Sequence, residues 1–220
     1  MCLAVVAGAL GAAGCGSSGG GTTDVSTFTR PEPARWKVTS HPLGRGAFLP
    51  ANVGFGPAGL TLRMPQGTLN GGELQGRQAR GAGTSTARMR TSSSPGSISA
   101  FFLYRQDLAT DSSDELDFEI PGGPPHRAIL TVWQKGRHVP TAQRTVSLDF
   151  DPSAAEHEYR FVRDGAKVTF VIDGRTRFAY AHAPSVALPP VFNAWYPTWQ
   201  DPTQPPAGGV MRVSRYAFTS

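Results

Sequence analysis

Residues 115–119 read Glu115-Leu116-Asp117-Phe118-Glu119, three acids at every second position with two apolar residues between them. Successive side chains of a β-strand point to opposite faces. On a strand, Glu115, Asp117 and Glu119 therefore share one face, while Leu116 and Phe118 enter a core behind it. Strands are depleted in Asp and Glu, and three aligned carboxylates repel one another. Either the strand is a solvated edge with its acids in water, or the acids do chemistry. Paired carboxylates on a rigid scaffold suit cleavage of a glycosidic bond, one as acid/base and one as nucleophile.

Working outward, short alternating or apolar runs recur along the chain. They include Trp36–Thr39, Gly59–Met64, Glu73–Arg77, Thr84–Arg90, Ser97–Tyr104, Ala128–Trp133, Thr145–Asp149 and His157–Arg163. Lys167–Ile172 and Thr176–Ala181 read as a hairpin joined through Asp173-Gly174, and Val191–Trp195 and Gly209–Phe218 close the series. Pro65-Gln66-Gly67, Ser94-Pro95-Gly96 and Pro121-Gly122-Gly123 punctuate the runs as turns. No stretch shows sustained helical periodicity. The pattern predicts an all-β, single-domain jelly-roll sandwich of two antiparallel sheets over residues 26–220.

The formal net charge is +5, but no Lys/Arg block exceeds two residues and no recognition helix is present, so no nucleic-acid partner is expected. Residues 3–13 form an apolar run too short to span a bilayer, of the length of a signal-peptide hydrophobic region. Ala12-Ala13-Gly14-Cys15 resembles a bacterial lipobox, in which the cysteine becomes the lipidated first residue. Ala12 stands where Leu is usual, and no Lys or Arg precedes the run. An ordinary cleaved signal peptide is the alternative. Ser17–Gly21 reads as a flexible tether, so residues 1–25 are expected to be leader and tether. Either way the domain is expected to be exported, secreted or held at the cell envelope through Cys15, and a monomer.

The landmarks around the acidic strand occur in a telling order. Gly71-Gly72-Glu73 comes first, then Phe101-Phe102-Leu103-Tyr104, then the acidic strand. Trp133, His157-Glu158-Tyr159, Val171-Ile172-Asp173-Gly174 and Asn193-Ala194-Trp195 follow. This succession resembles glycoside hydrolase family 16, the laminarinase and lichenase superfamily of concanavalin A-like β-jelly-roll enzymes. The resemblance implies a retaining endo-acting hydrolase of β-linked glucan working through a glycosyl-enzyme. It makes Glu115 the nucleophile, Glu119 the general acid/base and Asp117 the helper between them. The uninterrupted Asp117-Phe118-Glu119 spacing resembles the lichenase and xyloglucan-transferase branch, which tilts the substrate toward a mixed-linkage or 1,4-linked β-glucan.

The same resemblance implies a sugar-binding wall of Glu73, Phe102, Tyr104, Trp133, Asn193 and Trp195. Gln75 stands where lichenases carry Arg, Thr131 where they carry Asn, and Trp133 in place of a Tyr. These departures leave the linkage open. No cofactor is required for the chemistry. Relatives hold a structural calcium through oxygen ligands on the convex face, and no residue here is assigned to one. His41, His126, His138 and His182 show no metal-ligand spacing, and His157-Glu158-Tyr159 is expected to be structural. Transglycosylation on the same substrates, a non-catalytic carbohydrate-binding sandwich and an envelope scaffold are the competing readings.

Overall fold

The computed structural model describes residues 23–200 and 206–220. The apolar run, Cys2, Cys15 and the Gly/Ser stretch lie outside the described residues. The chain begins with β1 (Thr23–Ser26), β2 (Trp36–Val38), β3 (Pro42–Leu43), β4 (Gly46–Ala47), β5 (Val53–Gly56) and β6 (Gly59–Met64). It continues through β7 (Gly72–Gly76), β8 (Gly83–Arg90), β9 (Ile98–Asp107), β10 (Ser112–Pro121), β11 (Arg127–Gln134) and β12 (Arg137–Ser147). β13 (His157–Asp164), β14 (Lys167–Ile172), β15 (Arg175–Tyr180), β16 (Pro190–Trp195) and β17 (Gly209–Thr219) complete it. A single 3₁₀ turn, Pro50–Asn52, is the one helical element among the described residues.

The strands form two large antiparallel sheets. One runs β15-β14-β13-β8-β17-β6-β5, with β1 also paired to β17, and the other runs β12-β11-β10-β9-β16-β7-β2. Their facing sides close a single core, and the alternation read in the acidic strand is what fills it. Leu116, Phe118 and Ile120 on β10 are fully buried. The Phe118 ring lies 4.7 Å from Phe161 and 5.3 Å from Phe170, both contributed by the opposite sheet. Burying one such ring is worth roughly 1.5–3 kcal/mol. That gain offsets the cost of placing three acids on the strand's other side.

Asp173 and Gly174 turn the expected hairpin between β14 and β15, both at positive φ (48° and 76°), as a tight two-residue connection demands. His157 lies outside the cavity lining and has a side-chain partner. Its Nδ1 lies 2.6 Å from Asp173 Oδ2, and its ring stacks on Phe150.

Two expectations need correction. Thr23–Val25, assigned to the tether, belong to the sheet as part of β1, whose Asp24 carboxylate is gripped by Arg35 and Arg80. The run Thr145–Asp149 is the tail of a longer strand, β12, which stops at Ser147. Pro140 argues against a strand in sequence. β12 is the edge of its sheet, however, where a missing N–H leaves no central ladder broken. Its hairpin turns on Lys135-Gly136, again both at positive φ.

Candidate active site

The outer, concave face of the seven-stranded sheet carries the acids, and the strand register lays its side chains in rows. One row reads Trp133, Glu115, Tyr104. The next reads Thr131, Asp117, Phe102, Val191, Gln75, Lys37. The third reads Ile129, Glu119, Ala100, Asn193, Glu73. Residues 115–119 hold unbroken register against both neighbouring strands, so no bulge interrupts the acidic triplet. Above the rows lies a cavity of about 940 Å³ that takes in all nine residues expected at the site, including Trp195. Its lining runs from Lys37 on β2 to His138 and Gln143 on β12. Seven strands at about 4.8 Å spacing make a trough about 29 Å across, long enough for several sugar rings.

The three acids are electrostatically unlike ordinary surface carboxylates. Burial pushes Glu115 up to about 7; a hydrogen bond from Asp117 pulls the other way, and the Glu73 charge adds to the rise. Burial likewise lifts Glu119 to about 7, helped by the charge on Glu115. Asp117, only 5% exposed, is raised well above the carboxylate range by burial and by both flanking glutamates. Asp117 is thus the proton donor in its bond to Glu115, which favours an ionised Glu115. A protonated Glu119 beside an ionised Glu115 is the distribution that acid-assisted nucleophilic attack requires.

This arrangement has a consequence for stability. An acid whose folded pKa lies above its unfolded value stabilises the fold below the unfolded value and loses that contribution as pH rises through the folded one. The folded values of about 7 for Glu115 and Glu119 compare with roughly 4.3 in an unfolded chain. The unfolding midpoint is expected to fall between about pH 4 and about pH 8, read by scanning calorimetry. The double variant Glu115→Gln/Glu119→Gln is expected to flatten that slope, and an equal slope in both proteins would contradict the assignment.

Glu73 is more than a residue lining the wall. It is buried, and its carboxylate accepts from Thr39 Oγ1 (2.7 Å), Asn193 Nδ2 (3.1 Å) and His41 Nε2 (3.1 Å). Gly71, two residues before it, approaches β16 so closely that a Cβ would lie 1.9 Å from the Ala194 carbonyl oxygen. Only glycine permits that approach, which sets Asn193 beside Glu73. With its amide N–H spent on Glu73, Asn193 is left with a buried Oδ1 that has no partner. An orphaned acceptor in a cleft suits a hydroxyl donor.

Thr39, His41 and Lys37 are site residues that sequence reasoning did not assign. Lys37 and Thr39 could have been found, since they alternate with Trp36 and Val38 on an expected strand. His41 follows that strand, at a distance no periodicity covers. Replacing His41 with Ala removes one of three donors to Glu73. It is expected to raise KM about threefold to tenfold while leaving kcat nearly unchanged. Steady-state kinetics showing an unaltered KM would remove the residue from the site. Among the described residues no group of three or more His, Cys, Asp or Glu side chains is gathered as metal ligands.

Comparison with known proteins adds to this geometry. The sequence profile described as Glycosyl hydrolases family 16 matches residues 49–198. The probable xyloglucan endotransglucosylase/hydrolase protein 21 of Arabidopsis thaliana is 28% identical over 119 residues, 53% of this chain and 37% of that protein. A Beta-glucanase of Bacillus subtilis (strain 168) is 26% identical over 131 residues, 59% of this chain and 53% of that protein. The match thus spans about half or less of the length of these curated relatives. Among solved structures, the Bacillus licheniformis beta-glucanase superposes with a TM-score of 0.76 at 18% identity, over 92% of this chain and 99% of that one.

Proposed function

Because the chain belongs to glycosyl hydrolase family 16, we infer that it is a retaining, endo-acting hydrolase of β-linked glucan. The observation that carries this reading is the acidic triplet, held in unbroken register beneath an open trough with two glutamates lifted to about 7. In the first step Glu115 attacks the anomeric carbon as the glycosidic C–O bond breaks, and the Glu119 proton passes to the leaving oxygen. In the second, water attacks the same carbon, Glu119 takes the water proton, and the ester bond to Glu115 breaks. The hydrogen bond from Asp117 eases ionisation of Glu115 against the pull of burial, and Phe102, Tyr104, Trp133 and Trp195 offer ring faces to the sugars. The length of the trough supports attack within a chain rather than at its end.

A sugar hydroxyl in place of water would open the same glycosyl-enzyme and give transglycosylation. The Arabidopsis relative, whose name covers both outcomes, favours keeping that reading open. The unbroken triplet supports mixed-linkage or 1,4-linked β-glucan as substrate. A binding module without catalysis would have no use for three adjacent acids with raised pKa values. The test is reducing-end release from lichenan, laminarin, xyloglucan and agarose, with oligosaccharide acceptors added in a parallel set. Failure of the protein to turn over any of them would overturn the reading. Export through the N-terminal segment with a lipid on Cys15 completes the proposal. Mass spectrometry of the processed protein tests it, and a first residue other than a diacylglyceryl cysteine would replace the anchor with free secretion.

A further inference from the structure

The outer face of the eight-stranded sheet repeats, in the opposite sign, the oddity of the acidic strand. Arg63 on β6, Arg212 and Arg215 on β17, and Arg88 and Arg90 on β8 all point outward, away from Leu62, Met211, Val213, Ala87 and Met89 in the core. Register sets Arg212 directly opposite Arg90, and Arg215 directly opposite Arg88. Like charges placed opposite one another across strands destabilise a sheet. Among the described residues none of these five arginines has an acid within ion-pair distance. Two acids lie nearby. Glu158 on β13 stands directly opposite Arg88 but gives its carboxylate to Arg160, and Glu156 accepts from Ser214 at 2.9 Å. A sheet that keeps two opposed arginine pairs bears a cost that folding alone does not explain.

Guanidinium groups are the side chains best suited to phosphate, which they bind with paired N–H donors. The arginines lie across three adjacent strands of a broad sheet face rather than along a groove, a layout that fits a charged plane better than a single polymer strand. The chain's own connection points the same way. β1 joins this sheet, with Thr23 opposite Thr219, four residues or about 13 Å along β17 from Arg215. Cys15 precedes Thr23 by eight residues, which span at most about 29 Å when fully extended. A lipid at Cys15 would hold this face within reach of the bilayer. The acidic cleft, on the opposite sheet, would then face away from it.

We propose that Arg63, Arg88, Arg90, Arg212 and Arg215 form a docking face for the phosphate headgroups of an anionic lipid bilayer, orienting the glucan cleft outward. The idea rests on the lipid-anchor reading for its geometry and not on the glycosidase reading. It is tested with the full chain carrying Cys15→Ala, so that no lipid masks the effect. Partition is measured onto vesicles of phosphatidylglycerol and phosphatidylcholine in equal parts, and onto phosphatidylcholine alone.

The expected result is at least about tenfold tighter partition onto the anionic vesicles at low salt, since each basic residue near such a surface contributes roughly fivefold. That preference is expected to vanish at high salt, and to vanish in the added variant Arg88→Gln/Arg90→Gln/Arg212→Gln/Arg215→Gln. The variant's unchanged unfolding midpoint and glucan turnover show that the fold survives. Equal partition onto both vesicles would overturn the proposal. So would a preference that the four substitutions leave intact. Retention on immobilised polyphosphate without any vesicle preference would also overturn it, reassigning the face to a soluble polyanion.

Discussion

Replacing Glu115 with Gln is expected to lower kcat on a susceptible β-glucan by about 10⁴-fold or more. The amide is nearly isosteric with the carboxylate but cannot form the glycosyl ester, so the double displacement loses its first step. Glu115 sits between Tyr104 and Trp133 on the exposed side of β10, with Leu116 buried behind it. The substitution therefore leaves the core untouched, and the unfolding midpoint at pH 5 is expected to hold. Substrate binding is expected to survive as well, because the aromatic wall and the Glu73–Asn193 pair do not depend on the Glu115 charge. The variant should also carry a Glu119 that titrates lower, since the Glu115 charge is one cause of its elevation. Turnover within tenfold of the parent would place the nucleophile elsewhere.

Glu119→Ala carries the second large effect, and its form depends on the substrate. With a polysaccharide, whose leaving sugar oxygen needs a proton, the loss is expected to be about 10²–10⁴-fold. With an activated aryl glycoside the leaving group needs no help, and the deficit shifts to the second step, where no base remains to activate water. Azide needs no such base and fits the space the side chain vacates. Added azide is expected to restore turnover and to give a β-configured glycosyl azide. The alkaline limb of the pH–rate profile, which reports loss of the Glu119 proton, is expected to flatten. An α-configured azide, or a rate indifferent to azide, would take the acid/base role away from Glu119.

The acidic triplet was legible in sequence because a period of two leaves no freedom. Once residues 115–119 are a strand, Phe118 must point into the core and the acids away from it. The other six site residues came from the order of landmarks, and each falls in the same cavity because register across β7, β9, β10, β11 and β16 forces it there. The Glu73 network was not legible. Thr39, His41 and Asn193 meet Glu73 across separations of 34, 32 and 120 residues, and no local pattern encodes a meeting at such range. The edge strand β12 was hidden by Pro140, whose harmlessness follows from its position in the sheet. β1 was hidden by its neighbours: Thr23–Ser26 follow a Gly/Ser stretch, and only the distant Arg35 and Arg80 show why Asp24 is held.

The arginine face and the acidic cleft arise from the same strand geometry. In each case strand geometry lines up like charges on one face at a cost to folding, and a partner of complementary chemistry is proposed for it. On the readings proposed above, a sugar is the partner of the acids and phosphate the partner of the arginines. The two faces belong to opposite sheets, so substrate and membrane would not compete for the same side of the domain.

The configuration of the first product tests the central claim most directly. Lichenan, or whichever β-glucan proves susceptible, is digested in an NMR tube, and the anomeric proton of the newly released reducing end is followed before mutarotation sets in. Two displacements at one carbon by Glu115 and then water predict that the β-anomer appears first, with the α-anomer growing in later at the mutarotation rate. Initial release of the α-anomer would mean a single displacement, and would contradict a glycosyl-enzyme on Glu115.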